Sequence, residues 1–233
     1  ARKAKAAGAT RFSIVTGGRS VEPGPDFESI IRAIPVIRDT IGIEICCSLG
    51  LINKTQLKAL KAAGITRYHS NIETAPSYFP SICTTHTFAD KERMVKEVIA
   101  AGLRPCCGGI FGLGESQHQR IEMAYTLKRL GIDSVPVNIL NPIKGTALEN
   151  VQPPSPWEIL RIFSVLRFIL PKAQIRTAGG REINLRSMQA YALTAGADGL
   201  MIGGYLTTKG NETHVDRQML QDLNRRPAIP CLS

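Results

Sequence analysis

The sequence is poor in aromatic residues and has no long apolar run. Phe, Trp and Tyr make up 6% of its 233 residues, with a single Trp. That leaves little material for a surface that stacks nucleic-acid bases. The most apolar stretch, ILRIFSVLRFIL at 159–170, is short and carries Arg161 and Arg167, so no membrane span is expected. The opening ARKAKAAGAT has no apolar h-region, so the chain reads as lacking a signal peptide, and a cytoplasmic protein is expected. Cys46, Cys47, Cys83, Cys106, Cys107 and Cys231 form no CxxC pair, which gives a zinc ribbon no support. A disulfide framework is not expected in a cytosolic protein of this size. No GxGxxG follows a strand-like segment, and no GK[ST] follows a glycine-rich one. Dinucleotide and P-loop phosphate cradles are therefore not indicated. The net charge is +10, yet no run of four basic residues occurs. A solvated basic surface explains this better than a nucleic-acid footprint.

What is present is an ordinary globular composition, 43% hydrophobic and 21% charged, with enough apolar residues for a core. The strongest pattern is a recurring unit of amphipathic helix end, glycine and short apolar strand. It appears as AKAAGATRFSIV, IRDTIGIEICCSL, LKAAGITRYHSNI, VIAAGLRPCCGGI, LKRLGIDSVPVNIL and LTAGADGLMIGG, with Pro171 replacing the glycine in FILPKAQIRTAG. A glycine there supplies the left-handed residue that stops a helix. The pattern predicts strands near 11–16, 43–48, 66–72, 103–110, 135–140, 174–178 and 198–202. Strands alternating with helices imply βαβ units and a parallel sheet. Seven units fall one short of a (β/α)8 barrel of about 250 residues. The expected fold is therefore an α/β TIM-type barrel whose first strand lies upstream of Ala1. The chain begins inside a helix and reads as a piece of a longer polypeptide. Residues 1–225 are read as the barrel and 226–233 as a tail.

In a barrel the chemistry sits at the C-terminal ends of the strands. After the third strand, His69, Asn71 and Glu73 stand two residues apart, so they are expected to share one strand face. Polar groups on such a face either bind something or form a network at the barrel mouth. An amide and a carboxylate two residues apart suit ribose hydroxyls or a urea-like group. CCGGIFGLGES at 106–116 offers Gly108, Gly109, Gly112 and Gly114, which let backbone approach a ligand or make a tight turn. Asn138 lies within the next strand, followed by Asn141 and Lys144. Arg176 lies within the sixth strand, where it must find an anion, a metal or a carboxylate. Arg181 and Glu182 follow, and Gly203, Gly204, Thr207 and Thr208 follow the seventh strand. The pairs Cys46–Cys47 and Cys106–Cys107 sit in strands. Alternation sends one member of each pair inward and the other towards the helices. The inward thiolates either hold iron–sulfur centres or soft metals, or are small buried apolar residues.

RFSIVTGGR, GIEICCSLG, RYHSNIET, SYFPSICTTHTF, CCGGIFGLGES, VPVNILNPIKGT, IRTAGGRE and YLTTKGN together resemble the biotin synthase family over residues 1–225. The resemblance implies a radical S-adenosylmethionine (SAM) enzyme on a (β/α)8 barrel that inserts sulfur into dethiobiotin to make biotin. It implies a 4Fe–4S cluster that cleaves SAM reductively and an auxiliary cluster that gives up sulfur. The auxiliary cluster is a 2Fe–2S cluster or another type. By position, Cys46, Cys106 and Arg176 match auxiliary-cluster ligands, and Asn71, Glu73, Lys91 and Ile110 match SAM contacts. His69, Asn71 and Asn138 match contacts to the ureido ring of dethiobiotin. The resemblance also implies a homodimer in the cytoplasm, reduced by a flavodoxin or ferredoxin, with no nucleic acid or membrane partner. Three departures stand out. CxxxCxxC is absent from 1–233, so the 4Fe–4S ligands are expected upstream and the chain alone is expected to be inactive. Ser13 replaces a third auxiliary cysteine, as in an anaerobe-type branch of the family. His69–Ser70 replaces a commoner Asn–His. Other readings are a hydrogenase-maturase or methylornithine-synthase type of radical SAM enzyme, a phosphate-binding barrel enzyme, and a truncated barrel without catalysis.

Overall fold

The structure, a computed structural model, describes residues 1–205 and 209–226. Thr207, Thr208, Cys231 and nearly all of the expected tail lie outside the described residues. Among the described residues eight strands follow one another in chain order: β1 (Arg11–Val15), β2 (Glu44–Ser48), β3 (Arg67–His69), β4 (Arg104–Cys106), β5 (Gly109–Phe111), β6 (Ser134–Ile139), β7 (Gln174–Thr177) and β8 (Gly199–Leu200). The α-helices are α1 (Arg2–Ala6), α2 (Pro25–Ile41), α3 (Lys54–Ala63), α4 (Phe79–Ile82), α5 (Phe88–Ala100), α6 (Gln117–Arg129), α7 (Pro156–Ile169), α8 (Arg181–Leu185), α9 (Gln189–Ala195) and α10 (Thr213–Asp222). The helix–glycine–strand pattern is realised where it was read. Gly42 and Gly64 end α2 and α3 with φ of 64° and 111°. Helix starts are equally local in origin. Asn53 with Gln56, and Ser116 with Gln119, form reciprocal capping boxes at α3 and α6, which satisfy amide groups that the first turn leaves open.

The chain forms two compact units. The first holds Ala1–Ser70, Arg93–Pro105 and, of the described residues, 220–226. Its strands follow the order β1-β2-β3-β4, and β2 pairs in parallel with β1 and β3. Ile45 and Cys47 of β2 and Tyr68 of β3 pack against Phe27 and Ile34 of α2, Leu57 and Leu60 of α3, and Met94 and Val98 of α5. Strand alternation therefore turns Glu44, Cys46 and Ser48 to the opposite face. There Ser13, Cys46 and Arg67 stand in register on β1, β2 and β3.

The second unit holds Asn71–Glu92 and Cys106–Met219. Its strands follow the order β5-β6-β7-β8, all pairs parallel. The long strand expected over 103–110 is two strands, β4 and β5, interrupted at Cys107 and Gly108. The cause is tertiary. A Cβ on Gly108 would lie 1.9 Å from the Pro136 carbonyl oxygen, and Cys107 N–H bonds to Ser134 O at 2.9 Å. The strand expected over 66–72 also stops early, at His69. Asn71 and Glu73 therefore do not continue one strand face with His69. The backbone of Glu73 turns into the left-handed region at φ 67°. No helix among the described residues is long and apolar enough to cross a membrane.

Candidate functional site

The second unit gathers most of the singled-out residues around the start of β5. Ile72 N–H donates to Gly108 O at 3.0 Å, and Ile110 N–H donates to Glu73 O at 2.8 Å. The Asn71 side-chain oxygen accepts from Gly108 N–H at 3.0 Å. Residues 71–73 thus run along 108–110 as a short added strip. Gly109 is the contact that makes this possible. A Cβ there would fall 2.3 Å from Glu73 O and 2.4 Å from Met123 Cε. The left-handed Glu73 projects its carboxylate to Lys91 Nζ at 3.3 Å, with Lys91 13% and Glu73 29% exposed at the side chain. Such backbone strain in a non-glycine residue persists only where the surroundings impose it, and it clusters at functional sites.

Asn138, in mid-β6, ties two strand ends together. Its Nδ2 donates to Gly109 O at 3.2 Å, and its Oδ1 accepts from Gly179 N–H at 3.0 Å. Ile110 stands opposite Asn138 in the β5–β6 register. The loop after β5 is held by Glu115. This carboxylate accepts from Gly112 N–H at 2.9 and 3.1 Å, from Leu113 N–H at 2.7 Å and from Arg120 Nε at 2.6 Å. Arg120 reaches on to Glu158 of α7. The Glu115 side chain is 2% exposed. The glycine-rich turn therefore owes its shape to a buried anion that the glycine pattern alone did not reveal.

Arg176, in β7, sends one guanidinium nitrogen to Cys106 Sγ at 3.0 Å and another to Ser134 Oγ at 2.8 Å. Ser134 is fully buried. Sequence reading placed Arg176 and Cys106 in one centre but missed Ser134. Its signal is a polar residue at the start of a strand whose other polar residue is Asn138. Cys107, next in line, is buried, and burial pushes its thiol far up. Cys47 in the first unit is likewise pushed up to about 12 by burial. Both are protonated, inert packing thiols. Cys46 and His69 belong to the first unit, and Cys46 is 3% exposed on β2. Arg181 and Glu182 do not stand ready for an anion. Arg181 is 2% exposed and pairs with Asp216 at 2.6 Å, while Glu182 accepts from Tyr205 OH at 2.9 Å.

The donor chemistry divides the implied groups. No three His, Cys, Asp or Glu side chains among the described residues gather as a metal site. The residues present do not fit a cluster held by three thiolates. Cys106 with Arg176 supplies a soft donor and an adjacent cation, part of a donor set only. Glu73 and Lys91 offer opposite charges beside backbone that glycines bring close.

Comparison with known proteins gives a consistent picture. The family model for the radical SAM superfamily matches residues 1–127, and the biotin and thiamin synthesis associated domain matches 136–226. The chain is 49% identical over 224 residues to a biotin synthase of Carboxydothermus hydrogenoformans, covering 96% of this chain and 69% of that protein. It is 49% identical over 231 residues to a biotin synthase of Geotalea daltonii, covering 99% and 70%. Among solved structures, methylornithine synthase (PylB) aligns with a TM-score of 0.79 at 19% identity, covering 95% of this chain and 69% of that one. The hydrogenase maturase HydG of Carboxydothermus hydrogenoformans aligns with a TM-score of 0.75 at 20% identity, covering 98% and 58%. These two likenesses show the fold alone, the parallel α/β fold of radical SAM enzymes. The fold class read from the sequence agrees with it.

Proposed function

Because the chain belongs to the biotin synthase family of radical SAM enzymes, we propose that it serves the last step of biotin biosynthesis, sulfur insertion into dethiobiotin. SAM, when bound, supplies the radical chemistry that removes hydrogen from the substrate. The chain's own residues bind and orient. Glu73 and Lys91 meet the polar and charged groups of SAM, with Asn71 and Ile110 beside them. Asn138 spends one N–H on Gly109 and one lone pair on Gly179. An amide has two N–H donors and two lone pairs, so Asn138 retains one of each for a ureido ring. The family match assigns Asn71 and His69 to the same ring. The family match assigns Cys46, Cys106 and Arg176 to the auxiliary iron–sulfur cluster, of 2Fe–2S or another type where Ser13 replaces a cysteine. The 4Fe–4S cluster takes its ligands from outside residues 1–233. Residues 1–225 act as one barrel domain with a short tail from 226, in a cytoplasmic homodimer reduced by a flavodoxin or ferredoxin.

The observation that carries these roles is the contact of Arg176 with Cys106 Sγ at 3.0 Å. Two residues matched by position to one cluster stand within hydrogen-bond reach of each other. The test is Cys106→Ala made in the natural gene and assayed in a biotin auxotroph and in vitro. The expected outcome is no biotin with residual SAM cleavage. Near-normal biotin formation would overturn the assignment.

A further inference from the structure

Cys83 takes no part in the site above, and it differs from the other described cysteines. Cys46, Cys47, Cys106 and Cys107 are buried, whereas Cys83 is partly exposed. It follows α4 and does not stand alone. Its Sγ lies 3.4 Å from His86 Nδ1 and 3.6 Å from Thr85 Oγ1. Thr85 Oγ1 lies 3.0 Å from the same imidazole nitrogen. The His86 ring is anchored edge-on against Phe79 at 5.6 Å, and Phe79 is 1% exposed and edge-on to Phe88 at 5.8 Å. The imidazole is thus held in place beside the sulfur.

The surroundings favour the thiolate. Its slight burial works against the charge, but the Thr85 hydroxyl, the backbone N–H groups of His86 and Thr85, and the charge of Lys91 outweigh that and lower the thiol from its ordinary range. Lys91 is also the partner of Glu73. An accessible sulfur, an anchored imidazole and a nearby ammonium are the setting of a reactive cysteine.

We propose that Cys83, with His86 as its partner, is a nucleophilic thiol that forms a mixed disulfide with small oxidised thiols and so acts on the Lys91–Glu73 pair. The Cys83 thiolate attacks one sulfur of a disulfide RSSR. A new S–S bond forms and the old one breaks. The departing RS⁻ takes a proton from imidazolium or water. Cys83 sulfur is oxidised and the leaving sulfur is reduced. The adduct places bulk next to Lys91 of α5, the partner of Glu73, which weakens SAM binding. This last consequence rests on the SAM reading of that pair.

The experiment uses the natural protein carrying Cys231→Ser, incubated natively with oxidised glutathione and followed by intact mass and peptide mapping. One adduct on the Cys83 peptide is expected, absent in Cys83→Ser. His86→Gln should slow its formation about three- to fourfold, because one unit of thiol pKa costs tenfold in thiolate fraction and returns about threefold in nucleophilicity. Equal labelling of the buried cysteines, or an unchanged rate in His86→Gln, would overturn the proposal. SAM binding, measured by calorimetry on modified and unmodified protein, separates the two readings. Equal binding by both forms overturns the action on the pair. Failure of the unmodified protein to bind overturns the SAM reading, while the mapping still decides the thiol.

Discussion

Replacing Glu115 by Gln should unseat the loop after β5. The carboxylate, 2% exposed, accepts from two backbone N–H groups and from Arg120. Glutamine keeps one acceptor oxygen and puts an NH2 group in place of the other. Whichever way the amide is turned, a backbone N–H or Arg120 Nε then faces a donor in a dry site, at about 1–3 kcal/mol. Arg120 also loses its buried counter-charge and retains only Glu158, whose side chain is 33% exposed. Breaking a buried ion pair from one side costs about 3–5 kcal/mol. For a chain of this size that is roughly 6–20 °C in Tm. Glu158→Gln, at the outer end of the same arginine, is the control and should cost about 1 kcal/mol or less. Thermal melts followed by circular dichroism read both variants. A Glu115→Gln melt within about 3 °C of the parent, a change near 1 kcal/mol, would refute the view that this carboxylate shapes the loop.

Two further outcomes follow from the first unit. Tyr68 is fully buried, and its hydroxyl donates to Gly50 O at 2.7 Å and accepts from Leu49 N–H at 3.1 Å. Tyr68→Phe should lower stability by about 1–3 kcal/mol, and an unshifted urea midpoint would count against it. Glu44 is opposed by its own desolvation, but hydrogen bonds from Arg11 and Thr66 and the charges of Arg11 and Arg67 win and lower its pKa below 4.5. A depressed carboxylate stabilises fully above its unfolded value, and that contribution is lost as pH falls from about 4.5 through the folded pKa. The Tm gap between parent and Glu44→Gln should therefore be widest near pH 6 and shrink towards pH 3. A gap that stays constant across that range would show that Glu44 contributes no such linkage.

Much of this architecture was readable because its causes are local. The helix–glycine–strand units, with Pro171 in one of them, located the seven expected strand regions, since a helix stop and an apolar run are neighbours in sequence. Asn138 and Arg176 were identifiable as polar residues inside apolar strands. The misreadings have causes distant in sequence. The break at Cys107 and Gly108 comes from Pro136, a residue of the next strand. The strand end at His69 comes with the turn at Glu73, whose docking through Gly108 O and Ile110 N–H fits only because residue 109 has no side chain. Ser134 and Glu115 gained their roles from Arg176, Arg120 and backbone amides that no short window contains. Arg181, beside its glycine pair, is likewise held by a distant residue, Asp216 on α10.

The crowding at Gly108 and Gly109 separates two meanings of a glycine-rich turn. A methyl group at either position collides with carbonyl oxygens of neighbouring segments, whatever the enzyme binds. Gly17 and Gly204 have open space around them instead. In a selection that reads folding alone, such as display with protease challenge, positions 108 and 109 should admit nothing but glycine, while 17 and 204 should drift. Retention of glycine across 108–109 would then measure how closely backbones meet, and ligand recognition would have to be sought in residues that folding leaves free to vary.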